Sequence, residues 1–133
     1  MTCNLRVTRY PPTYRRHPWF PSRSNARGAL SLSWEQHGTV RGRVVDVEAP
    51  RRFSYRWAVL RESFDSEPAE GNSTLVEFTL EAEGDGTRLR VVESGFDKLF
   101  ADPAKQDERA EDNRKGWGIE LGELADYAER VAV

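Results

Sequence analysis

The chain has 133 residues, 38% hydrophobic and 32% charged, with 20 basic against 22 acidic side chains, proportions that fit one soluble domain with its own core. No run approaches the roughly 18 consecutive apolar residues of a membrane helix, and the start carries no apolar stretch of the secretory kind. The single cysteine, Cys3, excludes an internal disulfide, a cysteine-rich zinc site and a CxxC redox pair, so a reducing, cytoplasmic compartment is expected.

Residues 1–27 read as an irregular basic arm. Pro11, Pro12, Pro18 and Pro21 each fix φ and remove a backbone donor within a short stretch. Arg6, Arg9, Arg15, Arg16, Arg23 and Arg27 carry the arm's charge with no acid among them, which leaves 14 basic against 22 acidic residues in the rest. A basic arm can follow phosphates, but an acidic body offers no positive reading surface, so nucleic acid is not expected as a partner. Solvation of the arm, or contact with the acidic domain, is the simpler expectation.

From Gly28 the pattern changes to period two. Leu30, Leu32 and Trp34 alternate with small or polar residues as a half-buried strand would, and Gln36-His37-Gly38 turns the chain. Thr39 to Glu48 is rich in valine, Ala49-Pro50-Arg51 closes it, and Phe53, Tyr55 and Trp57 then put three aromatic rings on one face of a third strand. Residues 61–73 read as a loop, and the Asn72-Ser73-Thr74 triplet is taken as a chance sequon. Val76, Phe78 and Leu80 form the next inward face, Glu83-Gly84-Asp85-Gly86 is a hairpin turn, and Leu89, Val91 and Glu93 return on the same period. Five strands in a meander is the economical reading.

After Gly95-Phe96 the period lengthens to about 3.6, and Trp117, Leu121, Leu124, Ala128 and Val131 fall on one stripe of a long helix. Asp102-Pro103 or Asp107 can start it, through a capping carboxylate or a proline at the first helical position. Gly116, Gly118 and Gly122 each weaken such a helix by up to ~1 kcal/mol relative to alanine, unless they admit a strand, a ring or a ligand.

Catalytic signatures are absent. His17 and His37 have no metal-ligand spacing, so neither a metal nor a cofactor is expected. Gly84-Asp85-Gly86 lacks the third glycine and the βαβ setting of a dinucleotide site, and Ser94-Gly95 lacks the leading glycine of a nucleophile elbow. Glu93 is different, because alternation turns it inward with Leu89 and Val91, where a carboxylate needs a partner. An arginine, a tyrosine hydroxyl or a ligand can serve, and Glu93 is also the one candidate for a general acid or base. Trp34, Tyr55, Trp57, Phe78 and Trp117 face the same interior, as pocket walls or as an ordinary aromatic core.

The segment Thr39–Trp57 resembles the "G-x-V-x-x-V-x-P-P-R-R-L-x-Y-x-W" hairpin of the SRPBCC superfamily, in the branch named for the activator of heat-shock protein 90 ATPase. Ser73–Phe78, Gly86–Phe96 and Asn113–Trp117, with Leu121, Leu124 and Tyr127, follow in the order that branch shows. The resemblance spans about residues 28–131. It implies an α+β helix-grip fold: a curved antiparallel sheet of about five to six strands wrapped around a long C-terminal helix, with a cavity between them. The domain is thus expected at 28–133, with 1–27 as a shortened version of the strand and two helices that close the cavity in relatives. Trp19-Phe20-Pro21 resembles the end of that closing part.

The function expected from the resemblance is binding of a small hydrophobic ligand by Trp34, Tyr55, Trp57, Phe78, Glu93 and Trp117. A stress-response or chaperone-linked protein partner is the second reading, and a cyclase- or hydrolase-like reaction using Glu93 the third.

Overall fold

Alternating apolar residues build a single antiparallel sheet. The structure, a computed structural model, describes residues 1–7, 28–36 and 38–131. Strand β1 is Thr2–Val7, β2 Ala29–Trp34, β3 Gly38–Glu48, β4 Arg52–Ala58, β5 Ser73–Glu83 and β6 Gly86–Ser94, and helix α1 runs Pro103–Val131. The strands lie in the order β1-β6-β5-β4-β3-β2, every neighbouring pair antiparallel. The curved sheet and long C-terminal helix are those of the expected helix grip.

One expectation fails at the chain start. Thr2–Val7 is no irregular arm but a sixth strand, paired with β6 from Thr2↔Val92 to Val7↔Thr87. Glu93 N–H also donates to the Met1 carbonyl, and the Met1 amino group to the Glu93 carbonyl, each at 3.0 Å. The donors and acceptors along that side of β6 are therefore paired. The remainder of the proposed arm, with His17 and the Trp19-Phe20-Pro21 segment, lies outside the described residues, as does His37.

Curvature has a local cause. The β3–β4 register shifts between Val44 and Asp46, leaving Val45 as the extra, 42% exposed residue of a bulge that bends and twists the strand. Beside it, Gly42 leaves room for the flanking strands: a Cβ there would stand 3.0 Å from the Arg56 carbonyl oxygen of β4 and 3.2 Å from Leu30 of β2. Gly95 takes φ +100° as β6 leaves the sheet, a conformation glycine adopts without steric cost.

Asp102 caps α1 by accepting the Ala104 N–H at 3.0 Å, and Pro103 takes the first helical position, so the first of the two predicted starts is realised. The core cluster is Tyr55, Val76, Leu89, Val91 and Leu121, flanked by half-buried Leu30, Leu32, Phe53, Trp57, Phe78, Leu80 and Trp117. Leu121 is the one buried residue of α1, and closing it off from water stabilises the helix-on-sheet contact by roughly 1.5–3 kcal/mol. The predicted stripe is only half used: Leu124 and Val131 are 42% and 53% exposed. The helical glycines admit nothing, since a Cβ at Gly116, Gly118 or Gly122 would find no atom within 4 Å.

Candidate functional site

Cross-strand register decides which side chains meet on the concave face. Tyr55 pairs with Val76 and Val76 with Glu93, so these three form one row across β4, β5 and β6. Trp57 pairs with Thr74 in the next row, and Phe53 with Phe78 in the row on the other side. The helix lays Asn113 and Trp117, four residues apart and hence on one face, above the Glu93 end of these rows.

Glu93 and Thr74 are both fully buried. Oε1 of Glu93 accepts from the Trp57 indole N–H at 3.0 Å, the Thr74 hydroxyl at 2.5 Å and the Asn113 amide at 3.0 Å, while Oε2 accepts from the Trp117 indole N–H at 2.8 Å. The Trp57 N–H is shared with the Thr74 oxygen at 3.1 Å, which orients the threonine proton toward Glu93. Every neighbour thus turns a hydrogen toward the carboxylate. Neither of the side-chain partners expected from the sequence, arginine or tyrosine hydroxyl, is among them; two indoles, a hydroxyl and an amide take their place. Charge-assisted bonds of this kind are stronger than neutral ones and compensate for loss of water around the buried group. One acidic side chain thereby ties β4, β5, β6 and α1 together.

The six residues predicted as walls come together. Ring centroids lie 5.9 Å apart for Trp34–Trp57, 6.0 Å for Tyr55–Trp57, 5.9 Å for Tyr55–Phe78, 6.0 Å for Trp57–Trp117 and 5.6 Å for Phe78–Trp117. Phe53 extends the array, 5.6 Å from Tyr55 and 5.9 Å from Phe78. Trp34, Phe53, Trp57, Phe78 and Trp117 are each only half-buried, so the array keeps solvent-facing surface. At its β2 end the Trp34 indole N–H donates to Glu120 of α1 at 3.2 Å.

Tyr55 is 5% exposed, and its hydroxyl makes no hydrogen bond among the described residues. Among the described residues no side-chain polar atom that is wholly shut off from solvent lacks a partner, so this hydroxyl keeps a point of access to solvent. Burial pushes its acidity well below that of an ordinary phenol, and the charges of Glu93 and Glu120 add in the same direction.

Thr74, Asn113, Phe53 and Glu120 were not among the predicted site residues. Asn113 had a signal, its four-residue spacing from Trp117; Thr74 looked like any β-branched strand residue. Two depressions, of about 790 Å3 lined by Glu123, Asp126, Glu129 and Arg130 and of about 230 Å3 lined by Phe100, Lys105, Glu108, Arg109 and Asp112, lie along α1. Neither is lined by the predicted wall residues.

The sequence profile of the family described as Activator of Hsp90 ATPase homolog 1-like protein matches residues 23–129. No curated protein is similar enough to count as a relative. Among solved structures, the chain is similar to protein MLL2253 from Mesorhizobium loti, with a TM-score of 0.56 and 23% identity over 77% of this chain and 68% of that one. CalU16 from Micromonospora echinospora aligns with a TM-score of 0.31 and 22% identity over 72% of this chain and 69% of that one. The Mesorhizobium protein shares the fold.

Proposed function

We propose, starting from the fact that the chain belongs to the family of Activator of Hsp90 ATPase homolog 1-like proteins, that its concave face binds a small, largely apolar ligand. The observation that carries this reading is the half-exposed array of Trp34, Phe53, Trp57, Phe78 and Trp117 around the buried Tyr55, whose phenol makes no hydrogen bond among the described residues. Small-molecule sites are commonly built this way, from apolar and aromatic walls with a few polar groups that fix orientation. Glu93 serves as a positioning residue that holds Trp57 and Trp117 in place. A general base must reach the proton it removes, and burial of the Glu93 carboxylate among four donors favours the positioning role over the acid–base one.

Titration with fatty acids, sterols and aromatic polyketides, followed by tryptophan emission, tests the reading. A saturable change is expected for at least one class, with affinity reduced several-fold by Trp34→Leu. A flat response to every class would remove it.

One observation favours a second reading, a protein partner of the chaperone or stress-response kind. Ile119, Leu124, Tyr127 and Val131 leave 65%, 42%, 49% and 53% of their surface in solvent on a single helix. Stoichiometric capture of an Hsp90-type chaperone, undisturbed by Trp57→Ala, is the outcome that reading requires. The single cysteine supports a cytoplasmic setting for either role. Among the described residues no helix is long and apolar enough to cross a membrane.

A further inference from the structure

Each of the three described tryptophans donates its indole N–H to a carboxylate: Trp34 to Glu120 at 3.2 Å, Trp57 to Glu93 at 3.0 Å and Trp117 to Glu93 at 2.8 Å. Their rings follow one another at 5.9 Å and 6.0 Å, so the same two acids stand behind one continuous indole surface. An indole whose N–H is held by a carboxylate carries more negative charge on its ring face, and that face is what attracts a cation.

Among the described residues no cationic side chain is paired with these acids. Among the described residues the ion pairs are Arg43–Glu67, Arg51–Glu48, Arg88–Glu83, Lys98–Asp97 and Arg114–Glu111, and neither Glu93 nor Glu120 is in any of them. Period-two alternation sends the arginines of β4 and β6, and those of β3 ahead of its bulge, to the opposite face of the sheet. The inward positions of β4 to β6 hold aromatic or aliphatic residues besides Thr74, Thr87 and Glu93. From α1, Asn113 and Glu120 hydrogen-bond to side chains of this face. Near the acids stands the Tyr55 hydroxyl, in a residue 95% buried and with no hydrogen bond among the described residues.

From this juxtaposition we propose that the ligand of the concave face is an organic cation, an ammonium or quaternary ammonium group carried on an apolar or aromatic body. The inference rests on the ligand-binding reading above and sharpens it by fixing the charge of the ligand. The cationic group lies over the faces of Trp34 and Trp57, as in aromatic cages for quaternary ammonium, with Glu120 at the rim and the Tyr55 oxygen available as an acceptor. The apolar body lies along Phe53 and Phe78. A carboxylate-bearing ligand such as a fatty acid meets the like charges of Glu93 and Glu120, which disfavours it.

Three compounds sharing a 4-butylbenzyl body, one ending in trimethylammonium, one in a hydroxymethyl group and one in a carboxylate, test the proposal. Binding is read from the indole 15N–1H signals of the full chain. The ammonium compound is expected to bind about tenfold more tightly than the alcohol, and the carboxylate more weakly than both. Glu120→Gln, a substitution on an exposed helix position, should shrink the ammonium's advantage about threefold, with the spectrum otherwise that of a folded protein. Equal binding of ammonium and alcohol, or preference for the carboxylate, overturns the charge assignment and leaves the ligand-binding reading standing. Failure of all three to move any indole signal overturns both.

Discussion

The two halves of α1 carry the same apolar period and end in different states. Up to Leu121 the helix is joined to the sheet, with Asn113 and Trp117 bonded to Glu93 and Leu121 buried in the core. Beyond it Leu124, Tyr127 and Val131 are each about half exposed. Hydrophobic periodicity therefore states which face of a helix prefers cover, while the extent of the sheet beneath states how much cover there is. The polar pin strengthens the contrast, because four bonds to one buried carboxylate have a defined geometry that apolar contact lacks.

Removing the pin should have the largest effect. Glu93→Ala leaves two indole N–H groups, a hydroxyl and an amide without their acceptor and opens a void, so a loss of about 3–5 kcal/mol is expected in denaturant titrations. Amide exchange across residues 113–121 should rise to that of residues 122–131. A loss below about 1 kcal/mol, or exchange that stays unequal, would break the comparison at its root.

A smaller effect is expected on the sheet side of the joined half. Gly42 pairs with Trp57, and a larger side chain there meets the Arg56 carbonyl oxygen at 3.0 Å and Leu30 at 3.2 Å. Gly42→Val should cost about 1–3 kcal/mol through displacement of β2 and of Trp57. Unchanged stability would mean that this part of the sheet yields easily.

Tyr55 gives a pH test of the same region. Its acidity is weakened in the folded protein, first by burial and then by Glu93 and Glu120. The unfolded chain then gives up this proton before the folded one as pH rises past about 10, and stability falls by at most ~1.4 kcal/mol per pH unit until the folded phenol ionises. Below pH 10 the contribution is fully present. Denaturant midpoints of Tyr55→Phe should fall less steeply between pH 10 and 11 than those of the parent chain.

The smallest effect is a gain. Gly116, Gly118 and Gly122 touch nothing that a methyl group would strike, and each replaced by alanine should raise stability by up to ~1 kcal/mol, read as a higher melting temperature. Gly122→Ala in particular should slow exchange in the uncovered half and narrow its difference from the joined half.

Most of the sheet could be read directly. Leu30-x-Leu32-x-Trp34, Phe53-x-Tyr55-x-Trp57, Val76-x-Phe78-x-Leu80 and Leu89-x-Val91-x-Glu93 each alternate cleanly, and each became a strand with those residues turned inward. Strand β1 was missed although Cys3, Leu5 and Val7 also alternate, because six residues beside a proline- and arginine-rich stretch give a weak local signal and the strand exists by pairing with β6. Of the site, the aromatic residues and Glu93 were legible from their inward positions. The donors Thr74 and Asn113 were not, since a threonine in a strand and an asparagine in a helix look alike whether or not a carboxylate lies above them.

By itself the amino-acid order determined which residues face inward, because period two and period 3.6 are properties of a strand and a helix alone. It also determined that a carboxylate would stand among them at Glu93, and narrowed the start of the helix to Asp102-Pro103 or Asp107. Only the tertiary structure decided what that carboxylate binds, that three indoles point their N–H groups at acids, and that the stripe on α1 is covered over half its length. Those outcomes depend on distances between segments remote in the chain, which cross-strand register, the bulge at Val45 and the reach of the sheet set together.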